Sequence, residues 1–150
     1  MINKDSKKII SWTIVFLWMI VIFAFSHQAR EDSNNLSTSL TEIIVQIVES
    51  VTPSRSINIR SFNHILRKNA HFFLYLVLGL LVTNALRSSG VRGYRLIYSA
   101  LLLCILYAIS DEIHQLFIPG RGGQVGDVII DGTGSAIGII LTFFYMKDTI

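Results

Sequence analysis

Four long apolar runs constrain this chain more than any other feature. Crossing the ~30 Å hydrocarbon layer takes roughly 17–25 mostly apolar residues, because an α-helix rises about 1.5 Å per residue. Ile9–Phe25 carries no charge in 17 positions. Ala70–Leu86 is the second run, and Leu96–Ile118 is the third. The third is apolar up to Ile109 and then meets Ser110, Asp111, Glu112, His114 and Gln115. The fourth, Val125–Met146, holds Asp127 and Asp131 near its start and no charge from Gly132 onward. Only 15% of the 150 residues are charged, against about 25% in a soluble domain. The expectation is one all-α membrane domain over residues 1–150, a bundle of four transmembrane helices.

Lys7, Lys8, an apolar run and Ala24-Phe25-Ser26 also read as a secretory signal peptide. The run exceeds the usual 7–15 residues of such a segment, which favours an uncleaved anchor. Two prolines and a single cysteine exclude a disordered chain, a disulfide scaffold and a paired-cysteine zinc ribbon. A net charge of +3 is too small to argue for nucleic acid, no RNA- or DNA-binding motif is present, and no nucleic-acid partner is expected. The lipid bilayer is the expected environment.

Basic residues in short loops set orientation. Lys4, Lys7 and Lys8 precede the first span, and Arg87, Arg92 and Arg95 follow the second. The turn after the third span holds one, Arg121. Both termini are therefore expected in the cytoplasm of a multi-pass cell-membrane protein. The long loop between the first two spans faces outward. Within it Leu36, Leu40, Ile43, Ile44, Ile47, Val48 and Val51 recur at three- and four-residue steps. That pattern predicts an amphipathic helix, packed over the bundle, lying in the interface or serving as a lid. Phe62, Ile65 and Leu66 suggest a further short helix leading into the second span.

With this topology four helix ends meet in the outer leaflet. They bring Ser26, His27 and Gln28; Lys68, His71 and Tyr75; Asp111, Glu112, His114 and Gln115; and Arg121, Asp127 and Asp131. Counting inward from Ile118 and Val125, Glu112 and Asp131 each lie roughly 9 Å below the rim. Ionised groups at such depth should face the bundle interior or a wet cavity. Spacing agrees, since Asp111 and Gln115, Asp127 and Asp131, and His71 and Tyr75 each share a helix face at i, i+4. Lys68, three residues before His71, joins that last face.

Two readings of the cluster stand side by side. One is a nearly balanced ion-pair network that fixes helix packing. The other is a polar cavity for a ligand. In the cavity reading His71, with Asp111 or Glu112, is the candidate acid–base group, because imidazole exchanges protons near neutral pH. Lys68, Tyr75, Gln115, Arg121, Asp127, Asp131, Ser26 and Gln28 are candidate substrate-binding residues. Lys68 and Arg121 suit a phosphate or carboxylate, and the turn 119–124 could add backbone N–H donors. Glu112, His114, His71, Asp127 and Asp131 could also hold a divalent ion, but no dense ligand spacing such as HExxH is present and no metal is assigned. No cofactor motif is present either. Gly134-x-x-x-Gly138 permits close helix approach. Trp12 and Trp18 read as lipid-facing or interfacial, and Cys104 as inert.

Taken together, Phe25-Ser26-His27-Gln28, Arg67-Lys68-x-x-His71-x-x-x-Tyr75, Ser110-Asp111-Glu112-Ile113-His114-Gln115, Pro119-Gly120-Arg121 and Asp127-x-x-x-Asp131-x-x-Gly134-x-x-x-Gly138 resemble the VanZ-like family. The resemblance covers about residues 9–146, with the motifs in order. It departs from the family pattern at His27, where a small hydroxyl residue is expected, and at Asp131, where asparagine is frequent. The resemblance implies a role in glycopeptide (teicoplanin) resistance or cell-envelope processes. The partner so implied is an anionic or lipid-linked envelope component or a glycopeptide, which the protein would bind or modify. A non-catalytic membrane module acting through lipid packing or a partner protein is the alternative. A transporter fits less well, since transport sites sit near the midplane and the inner halves offer little beyond Asn84.

Overall fold

The computed structural model describes residues 3–27, 59–118 and 122–145. The segment 36–51, read as an amphipathic helix, lies outside them, as do Gln28, Arg121 and the tail from residue 146. Among the described residues there is no strand, only four helices: α1 Lys4–His27, α2 Ile59–Ser88, α3 Tyr94–Gln115 and α4 Val125–Tyr145. Each contains a stretch long and apolar enough to cross a membrane, Arg67–Ser88 in the case of α2.

Two boundaries differ from the sequence reading. The short helix expected around Phe62–Leu66 is the opening of α2 itself, because no proline or glycine interrupts the chain between Ile59 and Leu78. The third helix stops at Gln115 rather than Ile118. Its exit tightens into i→i−3 bonds, Leu116 N–H to Ile113 at 3.2 Å, Phe117 N–H to His114 at 3.0 Å and Ile118 N–H to Gln115 at 3.2 Å. Pro119 follows, and a proline at that point disfavours helical backbone before it. Glu112 therefore lies one turn from the end of its helix, shallower than the run of apolar residues suggested. Between α2 and α3, Gly90 takes a φ of 91° while Val91 N–H reaches back to the Leu86 carbonyl at 3.1 Å. This left-handed turn favours glycine because it has no Cβ to clash.

Helix α2 is the centre of the bundle and touches each of the other three, whereas α1 and α4 do not meet. Ile22, Tyr75, Leu78, Ala85, Ala100, Cys104, Ala108 and Ile139 form the shared core. Phe16, Leu17, Phe23, Phe73, Leu106, Ile129, Leu141 and Phe144 lie exposed around its outside. An apolar belt of this kind is what a bilayer covers.

The tightest contact is between α2 and α4, which run parallel. A Cβ on Gly134 would collide with the Phe72 carbonyl oxygen, and one on Gly138 with that of Leu76. On the facing helix, a Cβ on Gly79 would collide with the Ser135 carbonyl oxygen. The small residues read from Gly134-x-x-x-Gly138 thus bring two backbones together, as in other membrane bundles. Helices α1 and α3 are joined to the rest partly by polar side chains. Trp18 Nε1 donates to the Leu74 carbonyl at 2.9 Å, and Tyr107 Oη donates to the Met19 carbonyl at 2.6 Å. Trp12 Nε1 donates to Ser89 Oγ at 3.0 Å. Both tryptophans are part-buried against α2, so they serve packing as well as any interfacial role.

Candidate functional site

The parallel α2–α4 pair carries a ladder of polar contacts that starts at one rim of the bundle and descends inward. On α2 the rungs are Lys68, His71 and Tyr75, at helical spacing along one face; on α4 they are Asp127, Asp131 and Ser135. The outermost rung is an ion pair, Lys68 Nζ to Asp127 Oδ1 at 2.6 Å, with both side chains about a quarter exposed (28% and 25%). One turn deeper, His71 Nδ1 stands 3.7 Å from Asp131 Oδ2. Asp131 is fully buried, at 0% exposure. At the innermost rung Ser135 Oγ donates to the Tyr75 carbonyl at 3.2 Å.

The last turns of α1 and α3 close the side of this ladder. Ser26, the penultimate residue of α1, donates from Oγ to Asp111 Oδ2 at 2.7 Å. Gln115 Nε2 approaches the same oxygen at 3.5 Å and donates to Glu112 Oε1 at 3.1 Å. The other Glu112 oxygen accepts from the backbone N–H of Gln124 at 2.8 Å. The N–H donor read from the turn 119–124 therefore serves a side chain of the protein itself. Gly123 makes that turn possible, because a Cβ there would lie 2.6 Å from the Glu112 carbonyl oxygen. Glu112 is in this way an anchor between α3 and the start of α4.

His71 groups with Asp111 and Asp131. One ligand-type atom from each of His71, Asp111 and Asp131 lies within 4.8 Å of the others. Neighbouring oxygens lack donors. Asp111 Oδ1, both oxygens of Asp131 and the Tyr75 hydroxyl find no hydrogen-bond partner among the described residues. Tyr75 is itself fully buried, and its hydroxyl is within electrostatic reach of Asp111 and Asp131. Buried polar groups are ordinarily paired, so four such atoms in one place are unusual.

The structure thus brings Ser26, Lys68, His71, Tyr75, Asp111, Glu112, Gln115, Asp127 and Asp131 to one end of the bundle, while Gln28 and Arg121 lie outside the described residues. His27 stacks on Phe23 and His114, with its Nδ1 3.1 Å from His114 Nε2. Unlike this exposed pair, Asp111 and Asp131 are buried. Sequence spacing pointed to the faces but not to the rungs, because the pairing of His71 with Asp131 depends on how far the glycines let α4 slide along α2.

At the opposite end the bundle holds Ser11, Ser88 and Ser89, with Ser11 Oγ 3.5 Å from Ser88 Oγ. Asn84 is exposed on the outside of α2. Four helices long and apolar enough to cross a membrane, with an acidic, partly satisfied cluster at one end of the described bundle, define a multi-pass membrane protein with lipid on its outside. The family described as VanZ/LLP1 matches residues 11–146, nearly the whole chain, and the protein belongs to that family. Neither a curated protein nor a solved structure matches it.

Proposed function

We propose that this VanZ-family membrane protein binds the polar part of an envelope component at the ladder end of its bundle, on the extracytoplasmic face. The component is a lipid-linked or anionic envelope molecule or a glycopeptide, and the physiological role is in glycopeptide (teicoplanin) resistance or envelope upkeep. The single observation that carries the reading is the set of buried, donor-less oxygens on Tyr75, Asp111 and Asp131. A purely structural network would satisfy its own members. Gradation of exposure supports access from the rim, through Lys68 and Asp127 and past His71, whose side chain is 12% exposed, to the buried Asp131. The orientation rests on the six basic residues Lys4, Lys7, Lys8, Arg87, Arg92 and Arg95 at the other end of the bundle.

Within that site His71, backed by Asp111 and Asp131, is the group suited to move a proton. Ser26 and Gln115 hold Asp111 in place, and Glu112 fixes the turn that begins α4. Lys68 and Asp127 would meet the ligand at the rim, and Gln28 and Arg121 are further candidate binding residues. The test is teicoplanin susceptibility of a sensitive host expressing the protein or its Asp111→Asn, Asp131→Asn and Tyr75→Phe variants, with membrane abundance measured in parallel. Loss of protection at normal abundance is expected for each. Full protection by all three would reject the site. Loss of abundance in step with loss of protection would instead favour a module whose polar network is structural.

A further inference from the structure

We infer that His71, Asp111 and Asp131 form a binding site for a divalent transition-metal ion, zinc being the best match, with Tyr75 beside its open coordination position. This deepens the proposed envelope-ligand site and rests on it. Three observations converge. The first is geometry: a ligand-type atom from each of the three residues lies within 4.8 Å of the others, and each comes from a different helix, α2, α3 and α4. The His71 Nδ1 to Asp131 Oδ2 distance of 3.7 Å is long for a hydrogen bond. It is close to the gap of roughly 3.4 Å between two ligands that each stand about 2.1 Å from a tetrahedral zinc ion.

The second is charge. Two carboxylates from fully or almost fully buried residues, at 0% and 2% exposure, sit together in a low-dielectric bundle end. Lys68 is engaged with Asp127 one turn nearer the rim. A neutral imidazole, two carboxylates and a dication sum to zero, which is how proteins keep such charges buried. The third is the Tyr75 hydroxyl, fully buried, without a hydrogen-bond partner among the described residues and in the electrostatic field of both aspartates. It could donate to a water or ligand oxygen on the ion.

The surroundings resemble an outer shell as well. Asp111 is held by Ser26 Oγ at 2.7 Å and approached by Gln115, the kind of support that aims a metal-binding carboxylate. An imidazole in the set favours zinc and its first-row neighbours over magnesium or calcium, which prefer all-oxygen sites. Such an ion also resolves a mismatch of sign, since an acidic pocket repels the anionic envelope component proposed above. A metal with an open position would accept a phosphate or carboxylate oxygen from it.

The experiment is metal binding by the full chain purified in detergent, stripped with chelator and titrated with Zn2+ and, as a spectroscopic probe, Co2+. One equivalent per chain is expected, with Co2+ giving the visible absorption of a four- or five-coordinate centre. Asp131→Asn and His71→Asn should abolish stoichiometric binding, while Ser26→Ala should weaken it roughly 10–100-fold through Asp111. Helical content and detergent size-exclusion profiles confirm that each variant is folded. The double variant His27→Gln/His114→Gln should keep the full equivalent. Binding that disappears in that double variant, or that survives in Asp131→Asn and His71→Asn, overturns the inference, as does failure of the stripped protein to bind either ion. Susceptibility assays on Asp131→Asn separate the two levels. Lost protection without metal binding by the parent would sink the ion and keep the site; stoichiometric metal with protection untouched would sink the functional reading and keep the ion.

Discussion

Replacing Asp131 by asparagine separates a ligand site from a packing device, because the two accounts give opposite signs for stability. Asp131 lies six residues inside α4, roughly 9 Å from its first residue, and is fully buried. Neither of its oxygens has a hydrogen-bond donor among the described residues, and His71 Nδ1 stands 3.7 Å from Oδ2. A carboxylate at the bilayer centre costs about 2.5–3.5 kcal/mol, and a half-depth position beside an imidazole about 1–2 kcal/mol. Asparagine has nearly the same volume and no charge. In chelator, the Asp131→Asn protein should therefore be as stable as the parent or up to about 2 kcal/mol more so. The assay is thermal or denaturant unfolding of both proteins in the same detergent, followed by circular dichroism. A loss of about 3 kcal/mol or more is what removal of one half of a buried ion pair produces. That result would refute the reasoning and make Asp131 a structural residue. Function retained at the expense of stability is a familiar pattern in binding sites.

Other positions give independent checks. Gly138→Ala and Gly134→Ala place a methyl against the α2 carbonyls and should lower stability by about 1–3 kcal/mol in the same melts. Gly132→Ala, whose Cβ would meet only Ile105 Cγ1 at 3.9 Å, should be neutral or slightly stabilising. Glu112→Ala removes the acceptor of both Gln115 Nε2 and Gln124 N–H, and should reduce stability and membrane abundance by the equivalent of about 1–3 kcal/mol. Cys104 is the lone cysteine and is buried, so the parent should resist maleimide until unfolded. Against that silent background, a cysteine placed at Asn3 should label only when the reagent reaches the cytoplasm. Labelling from outside intact cells would invert the topology.

Much of this architecture is legible in the sequence because spanning a bilayer leaves few options. An apolar run near 20 residues must be a helix, and charges inside it must turn away from lipid. That is why the four spans, the polar end and most of its residues follow from hydropathy and three- or four-residue spacing. Helix limits are less legible where apolar residues outlast the helix, as at Leu116-Phe117-Ile118, or where polar residues precede the apolar part, as in the opening of α2. Pairing is least legible. That His71 faces Asp131 and Asp111, and that Glu112 turns to Gln124, depends on the parallel packing of α2 and α4 at Gly79, Gly134 and Gly138. The glycine spacing signals a close approach without naming its partner. Trp18 and Tyr107, which bind helix carbonyls across the bundle, look in sequence like any interfacial aromatic.

The central claim is that the buried carboxylates at one end of the bundle hold a ligand. A high-resolution experimental structure of the protein purified from its own membranes tests it most directly. Density for a bound species touching Asp111, Asp131 and the Tyr75 hydroxyl is the predicted result. Carboxylates collapsed onto one another or onto Arg and Lys side chains, with Tyr75 donating to them and no bound species between, would contradict it.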